Sequence, residues 1–273
     1  MARVDVNGVQ LFYEEVGTGE PLVVVHGSWL DHGDWDLVVP RLSGSFRVVT
    51  YDRRGHSNSE ASTHQGSFDE DAADLAGLIE TLDCAPAHLV GHSSGAIIAL
   101  LLAVTRPELV RTLNLHEPPL FDLVAGDPEA QPLLVPVGAA LGAVRQKLER
   151  GKHEAAARQF ADEVSFGPGS WDHRLTAEAR ERMIRNAPTF LDELRQPFRL
   201  RVDLDRLAHF DRPVLLTEGA QSPRLRGLSM DALTRALPHA ERRVLAGTAH
   251  LPHVTAPENY ALLIEEFALR GSR

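Results

Sequence analysis

The stretch Ala87-His88-Leu89-Val90-Gly91-His92-Ser93-Ser94-Gly95-Ala96-Ile97-Ile98-Ala99-Leu100 decides the fold. It opens as a short buried strand over Ala87–Gly91 and continues as an apolar helix over Ser94–Thr105, stopped at Arg106-Pro107. A strand running directly into a helix is half of a βαβ unit, so the pattern points to a parallel sheet. Between the two lies Gly91-His92-Ser93-Ser94-Gly95, a G-x-S-x-G pattern. Alone the pattern is common, but a strand before it and a helix after it are the setting in which its serine is a nucleophile. Flanking glycines permit a sharp turn that brings the Ser93 hydroxyl to a helix N-terminus, where backbone N–H groups favour developing negative charge.

The same rhythm extends in both directions. Val9–Val16 alternates as an early strand, Leu22–Val25 is a buried strand ending at His26-Gly27, and Phe46–Tyr51 is another. Phe68–Asp83 carries apolar residues at helical spacing, and Val110–His116 is the strand that follows the apolar helix. The rhythm then stops. From Pro118 to about Arg212 only amphipathic helical stretches occur, over Val135–Arg150, Glu154–Val164, Ala177–Asn186 and Phe190–Leu194. It resumes with a strand at Pro213–Thr217, a helix at Asp231–Leu237, a strand at Arg242–Leu245 and a closing helix at Glu258–Leu269. The expected fold is α/β: a mostly parallel sheet with helices on both faces and a helical cap inserted after Val110–His116. Residues 1–117 and 212–273 form the core domain, and 118–211 form the cap.

Composition narrows the function. With 273 residues, 43% of them hydrophobic, the chain can build a real core. Lys+Arg number 28 and Asp+Glu 38, and a net charge of −10 speaks against nucleic acid or an anionic membrane as partner. The longest apolar run, Ala96–Val104, is far short of a membrane span, and Arg3 and Asp5 interrupt any signal-like start, so a cytoplasmic protein is expected. Cys84 is the only cysteine, which leaves no CxxC motif, and the 13 histidines form no HExxH pattern. No metal and no cofactor are expected.

Several further segments make the chain resemble the α/β-hydrolase family over nearly its full length. They are Gly17-Thr18-Gly19-Glu20-Pro21, His26-Gly27, the run Tyr51-Asp52-Arg53-Arg54-Gly55-His56-Ser57-Asn58-Ser59, and Gly247-Thr248-Ala249-His250 followed by Pro257-Glu258. The resemblance implies a mostly parallel eight-stranded sheet with the cap after its sixth strand, Ser93 as nucleophile and His250 as its base, with His253 the competitor for that role. A neutral imidazole must take the serine proton, and a buried carboxylate must fix its tautomer. Most of the family places that acid after the strand read here as Pro213–Thr217, where this chain has Ser222. Serine offers no permanent charge. Glu117, at the end of the preceding strand, is the candidate acid, as in haloalkane dehalogenases and zearalenone-type lactonases; Glu218 and Asp211 are the alternatives. By family position the oxyanion hole is formed by the backbone N–H groups of Ser28 and Ser94. His26, His56 and His92 are expected to make loop hydrogen bonds, and Asp52 and Arg53 to pair with each other.

A serine nucleophile favours acyl transfer over the alkyl-enzyme chemistry that an aspartate performs. The expected activity is cleavage of a small, largely apolar carboxylic ester or lactone by a Ser-His-Glu triad through an acyl-enzyme. A cofactor-free perhydrolase or C–C bond hydrolase on the same triad is the alternative, and a non-catalytic small-ligand receptor is a second. The cap supplies Leu120, Phe121, Leu133, Leu134, Phe160 and Phe198 to roof a pocket, of which Leu134 and Phe160, with Trp29 from the core, are expected to touch substrate. A small-molecule ester or lactone is thus the expected partner, with a homodimer left open.

Overall fold

The computed structural model describes residues 2–196 and 202–271, so Phe198 lies outside the described residues. Eight strands, β1 (Ala2–Val6), β2 (Val9–Val16), β3 (Glu20–Val25), β4 (Phe46–Tyr51), β5 (Ala87–His92), β6 (Val110–His116), β7 (Val214–Gly219) and β8 (Glu241–Leu245), form one sheet. Their order is β1-β2-β4-β3-β5-β6-β7-β8. β1 and β2 pair antiparallel, as do β2 and β4; every pairing from β4 through β8 is parallel. β1 was absent from the runs read in the sequence. It is an edge strand with one face in solvent, and Arg3 and Asp5 make its five residues look polar.

Among the described residues the α-helices are α1 (Val39–Leu42), α2 (Phe68–Thr81), α3 (Ser94–Thr105), α4 (Gln131–Glu149), α5 (His153–Gln159), α6 (Ser170–His173), α7 (Ala177–Arg185), α8 (Ala187–Arg195), α9 (Leu204–Ala208), α10 (Arg224–Ala236), α11 (Pro252–Thr255) and α12 (Pro257–Gly271). Alternate residues of the central strands feed two cores. Val23, Val25, Val49 and Leu89 pack with α2, α3 and α10 on one face. Leu22, Val24, Val48 and Val90 pack with Trp35, Tyr260 and Ile264 on the other. Cover on both faces is why the central strands read as continuous apolar runs rather than alternating ones. No helix among the described residues is long and apolar enough to cross a membrane.

Helices α4 to α9 all fall between β6 and β7. The single helix expected over Glu154–Val164 is divided: α5 ends at Gln159, and Phe160–Ser165 is a wider π-helical turn. The helix expected from Asp231 begins seven positions earlier, at Arg224, directly after Pro223. Gly227 and Ser229 weaken the helical pattern there, so tertiary packing of Leu225, Leu228 and Met230 is what extends it.

Candidate active site

The parallel strands end on one edge of the sheet, and the candidate residues converge there. Ser93 follows β5 directly and is held at φ 55°, ψ −122°, a region that non-glycine residues rarely occupy. Its N–H donates to His116 O at 2.9 Å, tying the turn to β6. The flanking glycines act by closeness rather than by unusual dihedrals. A Cβ on Gly95 would stand 2.2 Å from Val25 O, and one on Gly91 would stand 2.6 Å from Ala96 Cα. Only glycines let α3 start so close to β3 and β5, and Ser93 itself takes the strained conformation.

Glu117 is the next strained residue, with φ 45° at the end of β6. Its N–H reaches Thr217 O at 3.2 Å, so the backbone turns while still paired with β7. The side chain then crosses the end of β7. Oε1 accepts the Gly219 N–H at 2.8 Å, and Oε2 is 2.6 Å from His250 Nδ1. Both groups are buried: Glu117 is 1% exposed and His250 4%. Burial would raise the Glu117 carboxyl, but the hydrogen bond and charge of His250, with His116 and Arg226 nearby, outweigh it and hold the group well below the usual carboxylate range. Burial, aided by the Arg226 charge, lowers His250 to about 4 against the opposing pull of Glu117. At neutral pH His250 is therefore a neutral imidazole donating from Nδ1 to a carboxylate, with Nε2 as its basic nitrogen. Among the described residues no hydrogen bond joins Ser93 Oγ to His250; in enzymes this contact commonly tightens only when substrate binds.

The competing residues are placed elsewhere. His253 is fully buried with Nε2 2.6 Å from Asp34 Oδ2, and its ring packs on Trp35 and His92. Glu218 accepts from Arg242 at 2.6 Å, while Asp211 pairs with Arg212 and is 83% exposed at its side chain. Ser222 Oγ is buried without a hydrogen-bond partner among the described residues. His26, His56 and His92 make the expected loop contacts, to Gly27 O, Arg54 O and His250 O.

The expected Asp52–Arg53 pair does not form. Asp52 instead accepts from the His32 N–H at 2.8 Å and from Asn58, closing its own loop. Arg53 turns inward, to Asp71 Oδ2 at 2.7 Å, Glu193 Oε1 at 3.0 Å and Ser94 Oγ at 3.2 Å. Ser28 Oγ donates to Glu193 Oε2. Among the described residues no acceptor takes the Ser28 or Ser94 backbone N–H, which leaves both free for a ligand oxygen. Burial pushes the Glu193 carboxyl up against the Arg53 charge. Sequence reasoning did not single out Glu193. Its signal is a polar stripe at helical spacing, Arg182, Asn186, Thr189 and Glu193, which bonds Asp31, Leu30 O, His56 and Arg53 of the core loops.

Ser93, Ser28 and Ser94 open on a cavity of about 420 Å³ between core and helical insertion. Its walls are mainly apolar, including Ile97, Leu120, Leu133, Val137, Phe160, Phe190 and Leu194. Of the residues expected to touch substrate, Phe160 lines it. Trp29 does not: φ 69° turns its side chain away, and the ring is buried against Phe160 and Phe190 inside the core of the insertion. Leu134 also lies off the cavity, packed with Val124, Ala130, Leu225 and Leu228, while its neighbour Leu133 faces in. Helix phase separates the two.

Among the described residues three groups offer metal-type donors within 4.8 Å of one another: Asp34, His92 and His253; His116, Glu117 and His250; Asp31, His32 and Asp52. In each a carboxylate already holds a histidine at 2.6 Å, so the hydrogen bond uses the atoms a metal would need.

A strained serine between a parallel strand and a helix, with a histidine and an acid from later strand ends, defines an α/β-hydrolase arrangement. Residues 22–261 match the model of the alpha/beta hydrolase family, and the chain belongs to that family. It is 34% identical over 126 residues to the uncharacterized hydrolase YraK of Bacillus subtilis, a match covering 45% of this chain and 46% of that one. It is 36% identical over 115 residues to the dihydrolipoyllysine-residue acetyltransferase component of the acetoin cleaving system of Pseudomonas putida, covering 41% and 31%. The chain thus spans less than half the length of these curated relatives. Among solved structures, the enol-lactonase of Burkholderia xenovorans LB400 superposes with a TM-score of 0.80 at 18% identity, covering 98% of this chain and 100% of that one. A thermophilic esterase of Thermogutta terrifontis gives 0.78 at 23%, covering 99% of each. At such identities these likenesses show the shared fold.

Proposed function

We propose that the protein is a serine hydrolase that cleaves a small, largely apolar carboxylic ester or lactone, with Ser93, His250 and Glu117 as its triad. The observation that carries this reading is the Glu117 carboxylate at 2.6 Å from His250 Nδ1, beside a strained Ser93 that opens on an apolar cavity. In the proposed reaction Ser93 Oγ attacks the acyl carbon as His250 Nε2 takes its proton. The Ser28 and Ser94 N–H groups hold the oxyanion. Collapse expels the alkoxide, which leaves with the proton from His250, and water resolves the acyl-enzyme by the same path in reverse. Glu117 stays ionised throughout and stabilises the imidazolium. Residues 118–211 act as a cap over the remaining 1–117 and 212–273, giving the acyl or alkoxy group an apolar roof. The names of the esterase and enol-lactonase with the same fold agree with this substrate class.

The test is labelling with a fluorophosphonate probe, followed by turnover of ester and lactone panels of graded chain length. Wild-type protein should be labelled on Ser93, and Ser93→Ala should lose both label and turnover. Absence of labelling in a folded wild-type protein overturns the nucleophile and leaves a non-catalytic receptor. Labelling without turnover of any ester or lactone moves the reaction to C–C bond hydrolysis or perhydrolysis.

A further inference from the structure

Inside the cavity, Arg226 is the charged side chain left with unused hydrogen-bonding capacity. The residue is 7% exposed, lies in the first turn of α10 and lines the cavity wall. Its Nη1 is buried without an acceptor among the described residues. Its Nε stands 3.6 Å from Glu117 Oε2, close enough for charge attraction but too far for a hydrogen bond, and both Glu117 oxygens already accept other N–H groups. Desolvating a guanidinium without hydrogen-bonding it is costly, so an acceptor offered from the cavity would relieve that cost. Burial holds the Arg226 group below its ordinary range, against the pull of Glu117, as expected for an under-compensated cation.

The other ionic groups of the cavity do not compete for this role. Glu193 is neutralised by Arg53 and hydrogen-bonded by Ser28. Arg224 is exposed and held by Glu129, while Asp122 and Glu163 are exposed at the rim, where water screens them. The wall around Arg226 is the N-terminal turn of a 13-residue helix, formed by Pro223, Arg224 and Leu225, whose macrodipole favours an anion. An apolar chamber with a buried cation in its wall fits an amphipathic ligand.

Building on the hydrolase reading, we propose that Arg226 is an anion-reading specificity residue, and that the substrate is an ester or lactone bearing a carboxylate a few bonds from the scissile carbonyl. Arg226 lies beside Glu117, within two contacts of the His250 ring, so the carboxylate and the reacting carbonyl occupy the same end of the cavity. A guanidinium takes a carboxylate in fork geometry, which would also fix the orientation of the acyl chain.

A matched pair of activated esters tests this: the mono-4-nitrophenyl ester of glutarate and 4-nitrophenyl pentanoate, which differ by a carboxylate in place of a methyl. Arg226→Gln should lower the ratio of their kcat/KM values, charged over neutral, by about 10- to 100-fold, the range of a charge-assisted hydrogen bond. Arg226→Lys should retain part of the ratio. Loss of support to Glu117 alone would slow both esters equally, and an unchanged ratio overturns the proposal. Calorimetric binding of glutarate to Ser93→Ala, compared with Ser93→Ala/Arg226→Gln, needs no turnover. Binding that vanishes with Arg226 supports the subsite even if the wild-type protein hydrolyses neither ester; equal binding to both variants, or none to either, refutes it.

Discussion

Glu117 spends both carboxylate oxygens on N–H donors, one from Gly219 and one from His250, so its substitution separates orientation from size. Glu117→Gln preserves the shape but presents an amide to the imidazole, and the donor at Nδ1 loses its acceptor or changes tautomer. The expected cost is on the order of 10⁴ in kcat, read from steady-state kinetics on an activated ester with KM little changed. The pH profile belongs to the same residues. A free histidine would lose its basic form near pH 6.5, but burial and the Arg226 charge lower His250 to about 4. As pH falls, kcat/KM should therefore hold through 6.5 and decline through about 4. An acid limb at 6.5 would place the titrating base elsewhere.

At the level of elements, an apolar plug and a polar stripe are among the contacts that join the helical insertion to the core. Trp29, from the loop after β3, is fully buried among Val144, Trp171, Met183 and Phe190 of the insertion. Trp29→Ala should cost about 3–5 kcal/mol, and because the ring backs Phe160 and Phe190 it should also blur selection among acyl groups. Asn186 makes the sharpest polar contact: Nδ2 donates to Leu30 O at 2.9 Å and Oδ1 accepts from the Ser57 N–H at 2.8 Å. Asn186→Ala leaves the buried Leu30 O and the half-buried Ser57 N–H unpaired, at about 1–3 kcal/mol for the buried group and less for the other. Urea midpoints should show that loss, and limited proteolysis should cut first in the insertion. Equal susceptibility of core and insertion would mean that the two unfold together.

On the scale of the whole molecule, buried histidines set the acid limit. His26, His56, His88, His92, His116 and His250 are all pushed below the ordinary histidine value, chiefly by burial. The unfolded chain takes up protons below about pH 6.5, where these rings stay neutral in the fold, so stability is intact above that pH and declines as pH falls toward 4. Each fully depressed group contributes about 1.4 kcal/mol per pH unit over that interval. Asp31, Asp36, Asp71 and Glu193, raised by burial, and His32, raised against its own burial by Asp52, work in the opposite direction but are fewer. Urea denaturation at pH 7.5, 6.5 and 5 should show a steady fall in stability below 6.5; a flat profile would contradict neutral burial of these rings.

The sequence by itself determined the parallel core of the sheet and the serine. β4, β6 and α3 have the bounds their residues imply, because strands covered on both faces gather buried β-branched and apolar residues into a few consecutive positions and an apolar helix ends where Arg106-Pro107 ends it. Periodicity and local turn chemistry are short-range properties, and they are written in consecutive residues. Tertiary structure decided what depends on which side chains meet. Glu117, Glu218 and Asp211 are similar carboxylates on paper, and only the turn at φ 45° brings one of them to His250. Trp29 and Leu134 look like pocket residues until loop strain and helix phase turn them into packing. Arg53 leaves its sequence neighbour for Asp71 and Glu193 because a buried guanidinium needs several acceptors at once, and those lie 18 and 140 residues away. Long-range pairing of buried charge follows from three-dimensional desolvation, which local sequence does not encode.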